Sequence, residues 1–192
     1  MKTKNIMIVG VGGQGTLLAS KLLGKILISK GFDVKVSEVH GMSQRGGSVV
    51  TYVRWGDKVY SPIIDRGEAD IILSFEMLEA ARWTEYLAEG GTIISNTQQT
   101  NPMPVITGAA EYPFELDNKI RALGINLDCF DALSLANEAG SSKAVNLVLL
   151  GRLSNYFDFT QDEWMKAIEE SVPPKFLEIN KKAFELGKNF KS

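Results

Sequence analysis

The chain has 192 residues, 44% hydrophobic and 23% charged, which are ordinary proportions for a domain long enough to bury a sizeable core. A net charge of −2, with lysine and arginine gathered on no one face, argues against a nucleic-acid partner, whose phosphates need a basic footprint. No stretch approaches the roughly 20 apolar residues of a membrane span.

The N-terminus carries only a short apolar run, with no long apolar core and no cleavage site of a secretory signal. One cysteine, Cys129, excludes an internal disulfide and a cysteine-built metal or iron–sulfur site within one chain. A cytoplasmic protein is expected. From the start, Asn5–Val9 (NIMIV) is an apolar run stopped by glycine, the pattern of a buried parallel strand. After the turn GVGGQG, Leu17, Leu18, Leu22, Leu23, Ile26 and Leu27 recur at helical spacing, and Gly31 stands where a C-terminal cap belongs. FDVKVSEV alternates as a second strand. The first 39 residues therefore read as a βαβ unit with a right-handed crossover.

Ser48–Trp55 (SVVTYVRW) is rich in β-branched and aromatic residues, and Gly56-Asp57 is expected to turn it into KVYSPII as a hairpin. ADIILSF, Ala69–Phe75, is a further buried strand. EMLEAARWTEYLAEGG reads as a helix up to its glycine stop, and Thr92–Asn96 as the next strand. In the loop TQQTNPMP two prolines argue against regular structure. FELDNKIRALG is expected to be a helix and INLDCF a strand. Helices then cover about Ser142–Phe157, Gln161–Glu170 and Pro174–Phe190, the last opened by Pro173-Pro174.

The alternation predicts an α/β fold: a three-layer, mostly parallel Rossmann-like sheet with a β-hairpin insertion and C-terminal helices, one domain over residues 1–192. The helix in SSKAVNLVLLGRLSNYF is apolar nearly all round. It is either central to the core or partly covered by a neighbouring chain.

GVGGQG matches G-x-G-x-x-G at Gly10, Gly12 and Gly15, between a strand and a helix. Glycines let a backbone approach a phosphate, and a helix N-terminus offers free N–H groups with partial positive charge. Glu38, ending the second strand, could take a ribose as the acidic residue of a dinucleotide site does. Two details count against NAD(P): Gln14 places a bulky amide on the pyrophosphate side, and the second strand runs into an unusual loop. A turn that merely packs the first helix on the sheet is the competing reading.

That loop, in SEVHGMSQRGGSVVTYVRW, holds the chain's one histidine, His40, followed by Gly41, Met42, Ser43, Gln44, Arg45, Gly46 and Gly47. So particular a connection is expected to bind or dock something. The plainer alternative is a tight connection with a solvated Arg45. One histidine excludes the usual imidazole-rich zinc sites. Thr16-Leu17 stands where a phosphate-binding loop needs Lys-Ser/Thr, and no nucleophile elbow is present. Cys129 and His40 come from distant segments with nothing to activate the thiol. No residue is assigned a catalytic role, and none a metal.

VGVGGQGTLLASKLL together with EVHGMSQRGGSVVTYVR resembles the gamma subunit or gamma domain of the 2-oxoacid:ferredoxin oxidoreductases. YSPII, GEADIILSFEMLEAARW and ISNTQQTNPMPV are most similar to the beta subunit of its indolepyruvate branch. The resemblance runs over most of the chain in motif order. It implies a complex that converts a 2-oxoacid, here an arylpyruvate, to an acyl-CoA while reducing ferredoxin. Thiamine diphosphate, Mg and the iron–sulfur clusters are implied to lie on a large alpha partner, with CoA as substrate and no cofactor held by this chain alone. A single cysteine fits that division, since a cluster needs about four thiolates.

On this resemblance Gly12, Gly13, Gln14 and Gly15 are candidates for backbone contacts to CoA phosphates. His40 to Gly47 become a loop facing the assembled active site, with Arg45 available to a phosphate or a partner carboxylate. Pyruvate or 2-oxoglutarate as the oxoacid, a free-standing NAD(P) enzyme, and a sensor of acyl-CoA or nucleotide remain alternatives.

Overall fold

A computed structural model of the chain describes residues 2–38 and 47–191. The first strand, β1 (Lys4–Val11), fixes the architecture. Its Ile6 and Ile8 point into one apolar core and its Met7 and Val9 into another, all four fully buried. A strand that buries both faces must lie inside a sheet covered on both sides.

Five more strands complete that sheet: β2 (Asp33–Glu38), β3 (Ser48–Gly56), β4 (Ala69–Ser74), β5 (Leu87–Asn96) and β6 (Asn126–Phe130). Their order is β2-β3-β1-β4-β5-β6. β1, β4, β5 and β6 pair in parallel, in registers such as Ile8 with Leu73 and Ile94 with Asp128. β3 is antiparallel to both of its neighbours, β1 and β2. The thicker covering layer holds α1 (Thr16–Ser29), α5 (Ala132–Ala139), α6 (Val145–Ser154), α7 (Gln161–Glu169) and α8 (Leu177–Asn189). The thinner layer holds α2 (Met77–Arg82) and α4 (Leu116–Ala122). The expected three-layer, mostly parallel α/β architecture is therefore present.

Several local expectations are corrected. β1 and β2 do run in the same direction, but β3 lies between them, so the βαβ unit is split. The hairpin is made by β2 and β3, and the predicted turn at Gly56-Asp57 leads into no strand. Pro62 has no N–H to give a ladder, and the Arg54 guanidinium donates to the Ser61 and Ile63 carbonyls, which fixes that segment as coil. The helix predicted to run to Gly90-Gly91 ends at Arg82, followed by a 3-10 turn at Thr84–Tyr86. Leu87 instead pairs with Ala69, and the ladder slips a register before Ile71. A Cβ on Gly91 would stand 3.0 Å from the Asp70 carbonyl oxygen, so that glycine serves a bulge and stops no helix.

Pro102 and Pro104 also fail to exclude regular structure. They open a single helical turn, α3 (Met103–Ile106), where a missing N–H costs nothing. α5 is an element the sequence reading lacks, although its ends are marked: the Asp131 side chain accepts from Ser134 N at 2.9 Å, and Gly140 closes it with φ +116°. α6 settles the open question about the apolar helix. Every one of its residues except Arg152 is buried by this chain itself.

Candidate functional site

The carboxyl ends of β1, β4, β5 and β6 share one edge of the sheet, together with Glu38 at the end of β2 and Gly47-Ser48 at the start of β3. The chain departs to opposite sides of β1 from this edge, and in open α/β sheets such a switch point is where ligands bind. Here the crevice between β1 and β4 is closed by the protein's own amides. Gln14 folds inward, its Oε1 accepting from Val11 N at 2.8 Å and its Nε2 donating to the Phe75 carbonyl at 3.5 Å. Asn96 donates to the same carbonyl at 3.4 Å and accepts from Ala132 N at 3.1 Å. A Cβ on Gly10 would stand 2.8 Å from the Gln14 amide oxygen, so glycine there makes room for the plug. Gln14 therefore does not crowd a phosphate with its side chain; it seals the sheet beneath the turn.

The turn lies on top of that seal. Gly12 N donates to the Gly47 carbonyl at 2.9 Å and Gln14 N to the Val11 carbonyl at 3.2 Å. Of the four N–H groups singled out in the sequence, these two are engaged. Those of Gly13 and Gly15 have no acceptor among the described residues. α1 begins directly after Gly15 with no side-chain cap, which leaves the N–H groups of Thr16 and Leu17 without an acceptor among the described residues as well, while Leu18 N donates to the Gly15 carbonyl at 3.2 Å.

Gly13 and Gly15 line two clefts. One, of about 290 Å³, is shared with Thr16, Leu17, Glu38, Val49 and Thr51. The other, of about 550 Å³, is shared with Gln14, Gln98, Ser142 and Lys143, the one cationic residue of its lining. Neither the sequence pattern nor the motif points to Lys143 or Gln98, since both reach the cleft from distant segments.

Glu38 reaches the smaller cleft, but its Oε1 accepts from Ser20 Oγ at 2.7 Å. With β3 inserted, β2 lies two strand spacings, about 10 Å, from β1. A dinucleotide fold sets those strands side by side, so the ribose-pocket reading loses its geometry. Gly47 is placed at the turn by its bond from Gly12. His40, Gly41, Met42, Ser43, Gln44, Arg45 and Gly46 lie outside the described residues.

Beside the turn is a group of buried carboxylates. Glu76 is 1% exposed and caps α2, accepting from Glu79 N at 2.8 Å, Thr100 N at 2.9 Å and Tyr112 OH at 2.5 Å. Glu79 is 3% exposed and accepts from Ser48 Oγ at 2.5 Å and Trp83 Nε1 at 3.3 Å, with Arg82 at 3.6 Å. Burial, and then the bond to Glu76, push the Tyr112 hydroxyl far above the ordinary tyrosine range, so it stays a donor. The first turn of α2 thus ties the start of β3 to the segment after β5. Two acids three residues apart in an otherwise apolar run, SFEMLEAA, are the signal that could have found this group.

Cys129 is half-buried on β6, away from this edge's turn, and no cluster of histidine, cysteine or acidic side chains among the described residues could hold a metal. No helix among them is long and apolar enough to cross a membrane.

Comparison with known proteins adds to this geometry. A family described as pyruvate ferredoxin/flavodoxin oxidoreductase matches residues 5–190. The chain is 46% identical to a protein named indolepyruvate oxidoreductase subunit IorB from Thermococcus kodakarensis, over 97% of this chain and 95% of that one. Among solved structures, pyruvate oxidoreductase subunit PORC from Thermotoga maritima superposes with a TM-score of 0.74 at 21% identity, over 98% of this chain and 96% of that one. A 2-oxoglutarate:ferredoxin oxidoreductase from Magnetococcus marinus, solved with 2-oxoglutarate, coenzyme A and succinyl-CoA, matches with a TM-score of 0.72 at 18% identity. That likeness covers 98% of this chain and 31% of the longer one. At such identities the two structures speak to the fold.

Proposed function

The chain belongs to the pyruvate ferredoxin/flavodoxin oxidoreductase family, and from that premise we propose that it is the small subunit of an indolepyruvate-type 2-oxoacid:ferredoxin oxidoreductase. The observation that carries this reading is the 46% identity, over nearly all of both chains, to a protein named for that activity. The reaction takes an arylpyruvate and CoA to an arylacetyl-CoA and carbon dioxide. The thiol proton is released, and two electrons pass to ferredoxin.

Thiamine diphosphate, Mg and the iron–sulfur clusters belong to a large partner. The residues here do not fit a cluster, because Cys129 is the sole thiol in the sequence. This chain's own contribution is binding and placement, in the cytoplasm and within the complex. The outward N–H groups of Gly13 and Gly15, the uncapped first turn of α1 and the Lys143 ammonium suit a phosphate of CoA, as helix N-termini suit anions generally. Gly12 and Gln14 act through the turn's shape, one holding Gly47 and the other sealing the sheet. Gly12 holds Gly47 and Glu79 holds Ser48, and to the segment from His40 to Gly47 we assign a role at the assembled site, Arg45 being its residue for a phosphate or a partner carboxylate.

The test is reconstitution with the large chain. CoA-dependent reduction of ferredoxin is measured with indolepyruvate, pyruvate and 2-oxoglutarate, with and without the small chain. Activity that needs both chains and is highest with indolepyruvate is expected. Equal activity from the large chain alone would sink the subunit reading, and a preference for pyruvate would move the complex to another branch.

A further inference from the structure

From Thr97 to Ala110 the chain runs without one charged residue, in a protein whose charged fraction is 23%. That composition would suit a buried segment, yet this one is outside. Met103 is 65% exposed, Ile106 64% and, just beyond, Phe114 72%. The segment is nevertheless tied down at both ends. Thr97 N donates to the Phe130 carbonyl at 3.0 Å, and Thr100 N and Tyr112 OH both donate to the buried Glu76 carboxylate. Its single helical turn is closed by Ala109 and Ala110, whose N–H groups donate to the Pro104 carbonyl at 2.8 and 3.0 Å. The result is an anchored arm with an apolar tip.

Two further features mark the tip. Glu115, at φ +52°, is the sole non-glycine residue in the left-handed region among the described residues, a conformation a Cβ disfavours. It separates Phe114, turned outward, from Leu116, turned into the core at 7% exposure. Three carboxylates, Glu111, Glu115 and Asp117, follow the uncharged run before the first cations, the exposed Lys119 and Arg121 of α4. None of the three has an ion pair among the described residues.

We propose that this arm is the docking element for the large partner chain. Met103, Ile106 and Phe114 enter an apolar socket whose rim carries lysine or arginine. An apolar centre inside a charged rim is the usual anatomy of a protein interface. Two copies meeting tip to tip would set Glu111, Glu115 and Asp117 against their own kind, so these carboxylates favour a basic partner over a second copy of this chain. Gln98, near the start of the arm, lines the larger cleft beside Gly13 and Lys143, so a partner seated here reaches the glycine turn.

The proposal rests on the subunit reading, and the experiment separates the two. The chain is co-expressed with the large chain, and complex formation is followed by size-exclusion chromatography with light scattering and by titration. The variants are Met103→Asp with Phe114→Asp, Glu111→Lys with Asp117→Lys, and a control, Ile28→Asp, at a 62% exposed position of α1 on the other layer. Each variant chain is first checked by its own thermal melt. The apolar pair is expected to weaken association by about 100-fold with the melt unchanged. The charge pair weakens it by about tenfold at low salt, a difference that vanishes at high salt, and the control binds as the native chain does. If the native chain binds and the apolar variant binds equally well, the arm is not the docking element and the subunit reading stands. If the native chain binds no large chain, the subunit reading falls and the arm falls with it. If the isolated chain is a dimer that the apolar variant dissolves, the occupant is a second copy and the proposal is overturned.

Discussion

Glycine does opposite work in two parts of this molecule. Where α6 crosses α8, a Cβ on Gly151 would overlap the Phe184 carbonyl oxygen, and one on Gly187 would overlap that of Val148. Each glycine faces the carbonyl three residues before the other, so each turns a Cα hydrogen onto the opposite backbone. In the turn after β1 the requirement is conformational. Gly13 has φ +99° and open space for 4 Å around the point a Cβ would occupy, and Gly15 has φ +89°. The first pair closes a contact, whereas the second keeps N–H groups open to an incoming group. A glycine that packs and a glycine that presents look alike in a sequence, and only their surroundings tell them apart.

The contrast can be broken most forcefully at the crossing. Gly187→Ala should destabilise the chain by about 3 kcal/mol or more, read by urea denaturation, because backbone meets backbone and no side chain can yield. Tolerance within about 1 kcal/mol would mean the helices separate easily, against so tight a crossing.

Next in size is Tyr112→Phe, in the polar group beside the turn, expected to cost about 2 kcal/mol because a carboxylate loses a buried donor. The same change carries a pH signature that the crossing glycines lack. The Tyr112 hydroxyl is held protonated in the folded chain above its unfolded value near 10. Its contribution is therefore complete below about pH 10 and is lost as pH rises toward the folded value. The stability gap between native and Tyr112→Phe chains should narrow above about pH 10, and a gap that widens there would contradict the assignment.

Gly15→Ala should cost about 1–2 kcal/mol for the left-handed backbone, and somewhat more because the new methyl meets the Asn146 amide at 2.9 Å. Made in an Asn146→Ala background, whose own cost from its lost bonds is measured separately, Gly15→Ala should show only the conformational share, so the two backgrounds divide the causes. Gly13→Ala is the mildest, about 1 kcal/mol from φ alone. It sharpens the comparison because it adds a methyl in open space. If the turn presents a phosphate site, Gly13→Ala in the assembled complex raises KM for CoA while kcat holds. An unchanged KM would return the turn to a packing role.

Much of the layout was legible along the chain. NIMIV, ADIILSF and INLDCF are strands in the structure because short apolar runs ending at turn residues have little else to become. α7 was legible too: it begins at a capping box in which Thr160 and Glu163 satisfy each other's N–H groups. The glycine turn was legible as a motif, and its place between β1 and α1 followed from local pattern.

What failed was long-range. EMLEAARWTEYLAEGG has good helical spacing, yet Leu87 gains more by pairing with Ala69 than by extending α2. KVYSPII has strand composition, yet Arg54 takes its carbonyls. The inward fold of Gln14, the place of Lys143 in the cleft beside the turn and the joint hold of Glu76 on Thr100 and Tyr112 join residues far apart in sequence.

The sequence by itself determined which segments form most of the strands and helices, where the backbone must bend, and the family resemblance, because periodicity and motif are local properties of a chain. Only the tertiary structure decided that β3 stands between β1 and β2, that the switch-point crevice is sealed by amides, and that the uncharged segment after β5 lies outside. Strand order, burial of carboxylates and exposure of apolar residues depend on which distant segments meet, and no short-range pattern encodes that choice.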